Sequence, residues 1–111
     1  MKTEALPAYV EGAAPFYYGD TLCLAGGYNT NTSTLLKSVV CWNPLKSEEW
    51  VPLPPMKHGR YKAGAVVLDG KLFVAGGYDT NSHEFMDSVE VFDDVSQQWY
   101  GVSPLLKGTV F

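Results

Sequence analysis

Two stretches decide how this chain is read: CLAGGYNTN, Cys23 to Asn31, and FVAGGYDTN, Phe73 to Asn81. They lie 50 residues apart and agree at six of nine positions. Working outward at that spacing, Leu22 falls on Leu72 and Ser38-Val39 on Ser88-Val89. Beyond these the spacing drops to 49, because Asn43 to Glu49 is one residue longer than Asp93 to Gln98. Trp50 then falls on Trp99, Pro55 on Pro104 and Gly59 on Gly108. A length change confined to a turn is what an internal structural repeat tolerates.

Each repeat reads as four short strands. In the second, Ala63 to Leu68 leads into Asp69-Gly70, a two-residue hairpin signal, and then into Lys71 to Ala75. That run is nearly all apolar, which predicts burial on both faces. A polar loop, Asp79 to Asp87, precedes a strand at Ser88 to Phe92, and Trp99 to Val102 makes the fourth. The first repeat places its strands at Phe16 to Tyr18, Thr21 to Ala25, Ser38 to Trp42 and Trp50 to Leu53. Pro15 lacks a ladder donor, so the opening strand is expected to be the weakest.

The 111 residues, 46% apolar and 18% charged, suit one globular core. Eleven glycines and seven prolines break the chain too often for a helical bundle. A net charge of −4 leaves no basic surplus for nucleic acid or an anionic membrane. No apolar run approaches the roughly eighteen residues of a spanning helix, and Met1 to Val10 does not read as a signal peptide. A cytoplasmic protein is expected, and the match of Asn31-Thr32-Ser33 to a glycosylation acceptor is taken as chance.

A double glycine after an apolar strand, about a dozen residues, an alternating strand and then a single tryptophan resembles the kelch repeat. LDGKLFVAGGYD, Leu68 to Asp79, carries the likeness most closely, and Arg60 matches the arginine that precedes the family's first strand. The resemblance runs from about Gly19 to Gly108. It implies an all-β fold of two four-stranded antiparallel blades, a partial β-propeller. On this reading 1–12 is an N-terminal leader, 13–54 the first blade, 55–103 the second, and 104–111 the start of a third. Two blades leave apolar faces uncovered, so further blades or self-association should close the ring; three copies would give six blades.

Little in the chain suggests reaction chemistry. Cys23 and Cys41, which fall on Phe73 and Val91, read as small buried hydrophobes. His58 and His83 sit in different loops without metal-ligand spacing. Some kelch-like propellers are copper oxidases, but no tyrosine, histidine and cysteine ligand set is found here. No cofactor is expected and the chain is not read as an enzyme. Trp50 and Trp99 are expected to anchor their blades, and Glu84, Asp87, Glu90, Asp93 and Asp94 to form a solvated edge. In kelch propellers that bind peptides, residues just after the double glycine line the face around the central channel. By motif position this nominates Tyr28, Asn29, Arg60, Tyr78 and Asp79 for a protein or peptide ligand. The resemblance implies a protein-binding module, of the kind found at the substrate-recognition end of BTB-kelch ubiquitin-ligase adaptors. The alternatives are an actin-associated scaffold and a self-assembling propeller piece without a ligand.

Overall fold

The computed structural model describes residues 10–46 and 49–102. The first repeat supplies β1 (Val10–Glu11), β2 (Ala14–Tyr18), β3 (Thr21–Ala25), β4 (Tyr28–Asn29), β5 (Thr34–Leu35), β6 (Val39–Trp42) and β7 (Val51–Leu53). The second supplies β8 (Gly64–Leu68), β9 (Lys71–Ala75), β10 (Tyr78–Asp79), β11 (Glu84–Phe85), β12 (Val89–Asp93) and β13 (Gln98–Val102). Two antiparallel four-stranded sheets result, ordered β2-β3-β6-β7 and β8-β9-β12-β13. The expected third-blade start at 104–111 lies outside the described residues.

Local chemistry accounts for most boundaries. Asp69 and Gly70 both adopt positive φ, 52° and 75°, the pair of values a type I′ hairpin needs. Pro15 does not shorten its strand: β2 begins at Ala14 and pairs with β3 along its whole length. As the end strand of its sheet, β2 has one edge without a ladder, and there a missing donor costs little. The loops expected after each double glycine are partly ordered as small hairpins. β4 pairs with β5 and β10 with β11, and β1, inside the supposed leader, adds a third strand beside β4.

The core lies between the two sheets, with β2 against β8. The first sheet contributes Ala14, Phe16, Cys23, Ala25, Val39 and Cys41; the second contributes Leu72, Val74, Phe92 and Trp99; Met56 fills the gap from the connecting segment. Burying each large side chain is worth about 1.5–3 kcal/mol before entropy is counted. β9 departs from its expected burial on both faces. Leu72 and Val74 are fully covered, whereas Phe73 and Ala75 on the opposite face are only partly so, because no sheet packs there among the described residues. Trp99 fulfils its anchoring part: its indole stacks on Phe92 at 5.2 Å and donates to the Pro54 carbonyl at 2.8 Å. Trp50 lies outside β7, half-buried, with its ring 5.6 Å from Trp42.

Two expectations need correction. Cys23 and Cys41 are buried as foreseen, yet they are not independent hydrophobes: β3 and β6 pair in a register that sets them directly opposite, and a disulfide joins them. Glu90 is no part of a solvated edge. It is 1% exposed, on the side of β12 turned toward the first sheet.

Candidate functional site

The antiparallel order brings three connections, 26–38, 54–63 and 76–88, to one end of both sheets. All five nominated residues lie at this end. The first double glycine shapes it: Gly26 and Gly27 have φ of 69° and 106°, and a Cβ on Gly26 would come within 2.6 Å of the Arg60 carbonyl oxygen.

Asn29 and Asp79 perform the same local task in their repeats. The Asn29 Oδ1 accepts from the backbone amides of Asn31 (2.9 Å) and Thr32 (3.1 Å). The Asp79 Oδ1 accepts from Asn81 (2.8 Å) and Ser82 (3.3 Å). These are Asx turns, so both side chains hold loop shape while remaining half-exposed. Tyr78 is half-buried, its ring edge-on to Phe85 at 5.2 Å, and Phe85 is 55% exposed.

Tyr61 ties the two repeats together at this end. It exchanges backbone hydrogen bonds with Tyr78, at 2.8 and 3.1 Å, and its ring meets Tyr28 edge-on at 6.4 Å. Lys62 carries its ammonium 5.3 Å from the centre of the same ring, a cation–π distance. Tyr28, Tyr61, Tyr78 and Phe85 therefore follow one another from the first repeat to the second. Sequence reasoning missed Tyr61, Lys62 and Phe85. Tyr61 falls on Glu11 when the repeats are superposed, so no repeated motif pointed to it.

Arg60 requires a correction. Its guanidinium was expected to be open to a ligand, but the residue is 0% exposed. Nη1 donates to the carbonyls of Gly76 and Ser88, both at 2.9 Å. Nη2 donates to the Ser88 hydroxyl at 2.8 Å and forms an ion pair with Glu90 at 3.0 Å. The Glu90 carboxylate also accepts from the backbone amides of Lys57 (2.7 Å) and His58 (3.1 Å). Meanwhile the Arg60 backbone belongs to the first repeat, donating to Leu36 and accepting from Gly27. Arg60 thus clamps one sheet with its backbone and the other with its side chain. Adding more chain could only bury it further, so it leaves the set of ligand-contacting residues.

Among the described residues no group of three or more His, Cys, Asp or Glu side chains is gathered as a metal site. Nor is any helix there long and apolar enough to cross a membrane.

Comparison with known proteins agrees with this architecture. Residues 59–106 match the Kelch motif. The chain is 33% identical over 98 residues to Kelch-like protein 40 of Xenopus laevis, covering 88% of this chain and 15% of that protein. It is 31% identical to Kelch-like protein 23 of Homo sapiens, covering 84% and 15%, and 31% identical to an F-box/kelch-repeat protein of Arabidopsis thaliana, covering 88% and 24%. This chain therefore spans a quarter or less of the length of these relatives. Among solved structures, that of YjhT superposes with a TM-score of 0.77 at 19% identity, over 97% of this chain and 31% of the other. A fungal alcohol oxidase of the AA5 family in complex with copper gives 0.70 at 18%, over 89% and 23%. At such identities the likeness is one of fold: the two sheets are blades of a partial β-propeller. With the repeat, the blades and these relatives in agreement, the chain belongs to the kelch-repeat family.

Proposed function

We propose that this chain is part of a non-enzymatic protein-interaction propeller whose ligand is a protein or peptide segment held at the end where Tyr28, Tyr61, Tyr78 and Phe85 lie. The observation that carries this reading is the aromatic row crossing from one blade to the next, Tyr28 against Tyr61 and Tyr78 against Phe85 with the two pairs joined by the Tyr61–Tyr78 backbone bridge, with Phe85 55% exposed and Lys62 over Tyr61. Aromatic side chains offer large contact area at small entropic cost, and they dominate binding hot spots. Asn29 and Asp79 contribute by fixing the loops that present the row. A place at the substrate-recognition end of a ubiquitin-ligase adaptor is the finer form of the proposal, supported by the likeness to Kelch-like and F-box/kelch-repeat proteins. A cytoplasmic location fits that role, and in that compartment, where disulfides are rare, the link between Cys23 and Cys41 would be held reduced.

The test uses a displayed random-peptide library panned on the chain. Selected peptides should bind Tyr78→Ala and Phe85→Ala more weakly by roughly 1–3 kcal/mol, about 5- to 150-fold, with Phe85→Ala barely moving the melting temperature. Peptides that bind both variants as well as the parent would overturn the assignment.

A further inference from the structure

The disulfide of the first blade stands at the base of a connection whose counterpart in the second blade has no covalent link. Cys23 lies two residues before the end of β3, and Cys41 two residues after the start of β6. Between the link and the connection 26–38 there remain only the pairs Leu24 with Val40 and Ala25 with Val39. The cysteines are 18 residues apart, and the loop they close contains the whole connection, with Tyr28 and Asn29 on it. In the second blade Phe73 stands opposite Val91 at the same place, below the connection 76–88. Backbone hydrogen bonds otherwise hold the two connections alike. Gly26 and Gly76 donate across the base to Ser38 and Ser88, and Leu36 and Met86 donate back to Gly27 and Gly77.

We infer that Cys23 and Cys41 are a redox switch for the first connection. The closed link holds 26–38, and with it Tyr28 and Asn29, in one arrangement; opening the link loosens that connection while the blade stays folded. The strand register makes the change reversible. Ladder pairs flank the cysteines on both sides, Leu22 with Trp42 and Leu24 with Val40, so opened thiols stay face to face and the bond re-forms without a search through the chain. Packing makes the change felt. Cys23 is fully buried and Cys41 only 8% exposed, and two thiols need more room than a bonded pair of sulfurs in a core that has none to spare. Because β3 and β6 run straight into the two ends of the connection, any change in their spacing changes the span it must bridge.

Opening takes a thiol reductant. Its thiolate attacks the Sγ of Cys41, the less buried residue of the two; the S–S bond breaks, and the Cys23 sulfur leaves as a thiolate and takes up a proton. The second thiolate of a dithiol then displaces Cys41, which is protonated in turn. Two electrons and two protons have passed to the cysteines, and the dithiol has become a disulfide. Glutathione disulfide reverses the exchange and leaves as two glutathione thiols. In a reducing compartment the open form is the resting one and an oxidant closes it, in keeping with the transient, redox-sensing character of the disulfides that do occur there.

Amide hydrogen exchange on the 111-residue chain, with 26–38 and 76–88 followed together, tests the switch. In dithiothreitol the amides of 26–38 should exchange about 5- to 30-fold faster, those of 76–88 less than about twofold faster, and glutathione disulfide should restore the slow rates. The variant carrying Cys23→Phe and Cys41→Val should respond to neither reagent. The switch rests on the proposed ligand end only for what it governs, and the exchange readout uses no ligand, so a failure here is distinguishable from a failure of that site. Unchanged exchange in 26–38, a rise shared equally by both connections (the mark of a link that merely stabilises the whole chain), or a rise that glutathione disulfide does not reverse would each overturn it.

Discussion

Where the second blade buries Glu90 against Arg60, the first has Val40 and Val10; where the first joins Cys23 to Cys41, the second sets Phe73 opposite Val91. Backbone, register and strand order are otherwise shared. The difference teaches how much of a blade is interchangeable. The sheet geometry tolerates an ion pair or two valines at one place, and a covalent link or an aromatic–aliphatic pair at another. What it does not tolerate is half of the ion pair, because a lone carboxylate or guanidinium buried in the joint has nothing to replace water.

The largest effect should come from splitting the ion pair. Arg60→Val leaves Glu90 buried and should cost about 3–5 kcal/mol in denaturant unfolding. Arg60→Val with Glu90→Val copies the first blade and should recover at least about half of that loss. A double variant no better than the single would break the comparison, and would mean that the carbonyls of Gly76 and Ser88 need the guanidinium more than Glu90 does.

The outer tryptophans come next. Trp99 is 4% exposed and hydrogen-bonded, so Trp99→Ala should cost about 3–4 kcal/mol through cavity formation. Trp50, half-buried and outside its strand, should cost less than half as much. Equal losses in parallel melts would break the contrast between the two tryptophans.

The disulfide should show the smallest of the three effects. The cysteines are 18 residues apart, and closing a loop of that size stabilises by about 3 kcal/mol at most in the chain-entropy picture. Opposed strands already hold the two residues together, so reduction should cost about 1–2 kcal/mol and leave the fold intact. Cys23→Phe with Cys41→Val, copying the second blade, should then be indifferent to reductant. Alkylation and mass measurement on protein taken from cells would show whether the link forms there.

Much of this was legible in the sequence, for local reasons. The glycine pairs, the Asp69-Gly70 turn and the apolar runs set the bounds of β3 and β9 to the residue, because turn chemistry and strand periodicity act over a few positions. Tyr28, Asn29, Tyr78 and Asp79 fall at one end of the blades for the same reason. The burial of Arg60 was not legible. It depends on Glu90, 30 residues away, and on the path of the connecting segment between them. The cysteine link depends likewise on the register of β3 with β6, which the intervening loop determines. Tyr61 went unnoticed because its importance comes from standing between two repeats.

The ion-pair network has one more property: Lys57, His58, Arg60, Ser88 and Glu90 all belong to a single repeat unit, although they work at a boundary between units. Copying or deleting that unit as a block carries every donor together with its acceptor. A gene that gains or loses blades by whole-unit duplication therefore inherits joints that are already charge-balanced, and no second mutation is needed to repair them. Exchange that cuts within the unit, between residues 60 and 88, would separate the guanidinium from its carboxylate and be selected against. The seams at which such a propeller can lengthen or shorten are thus written into where its one buried ion pair begins and ends among the described residues.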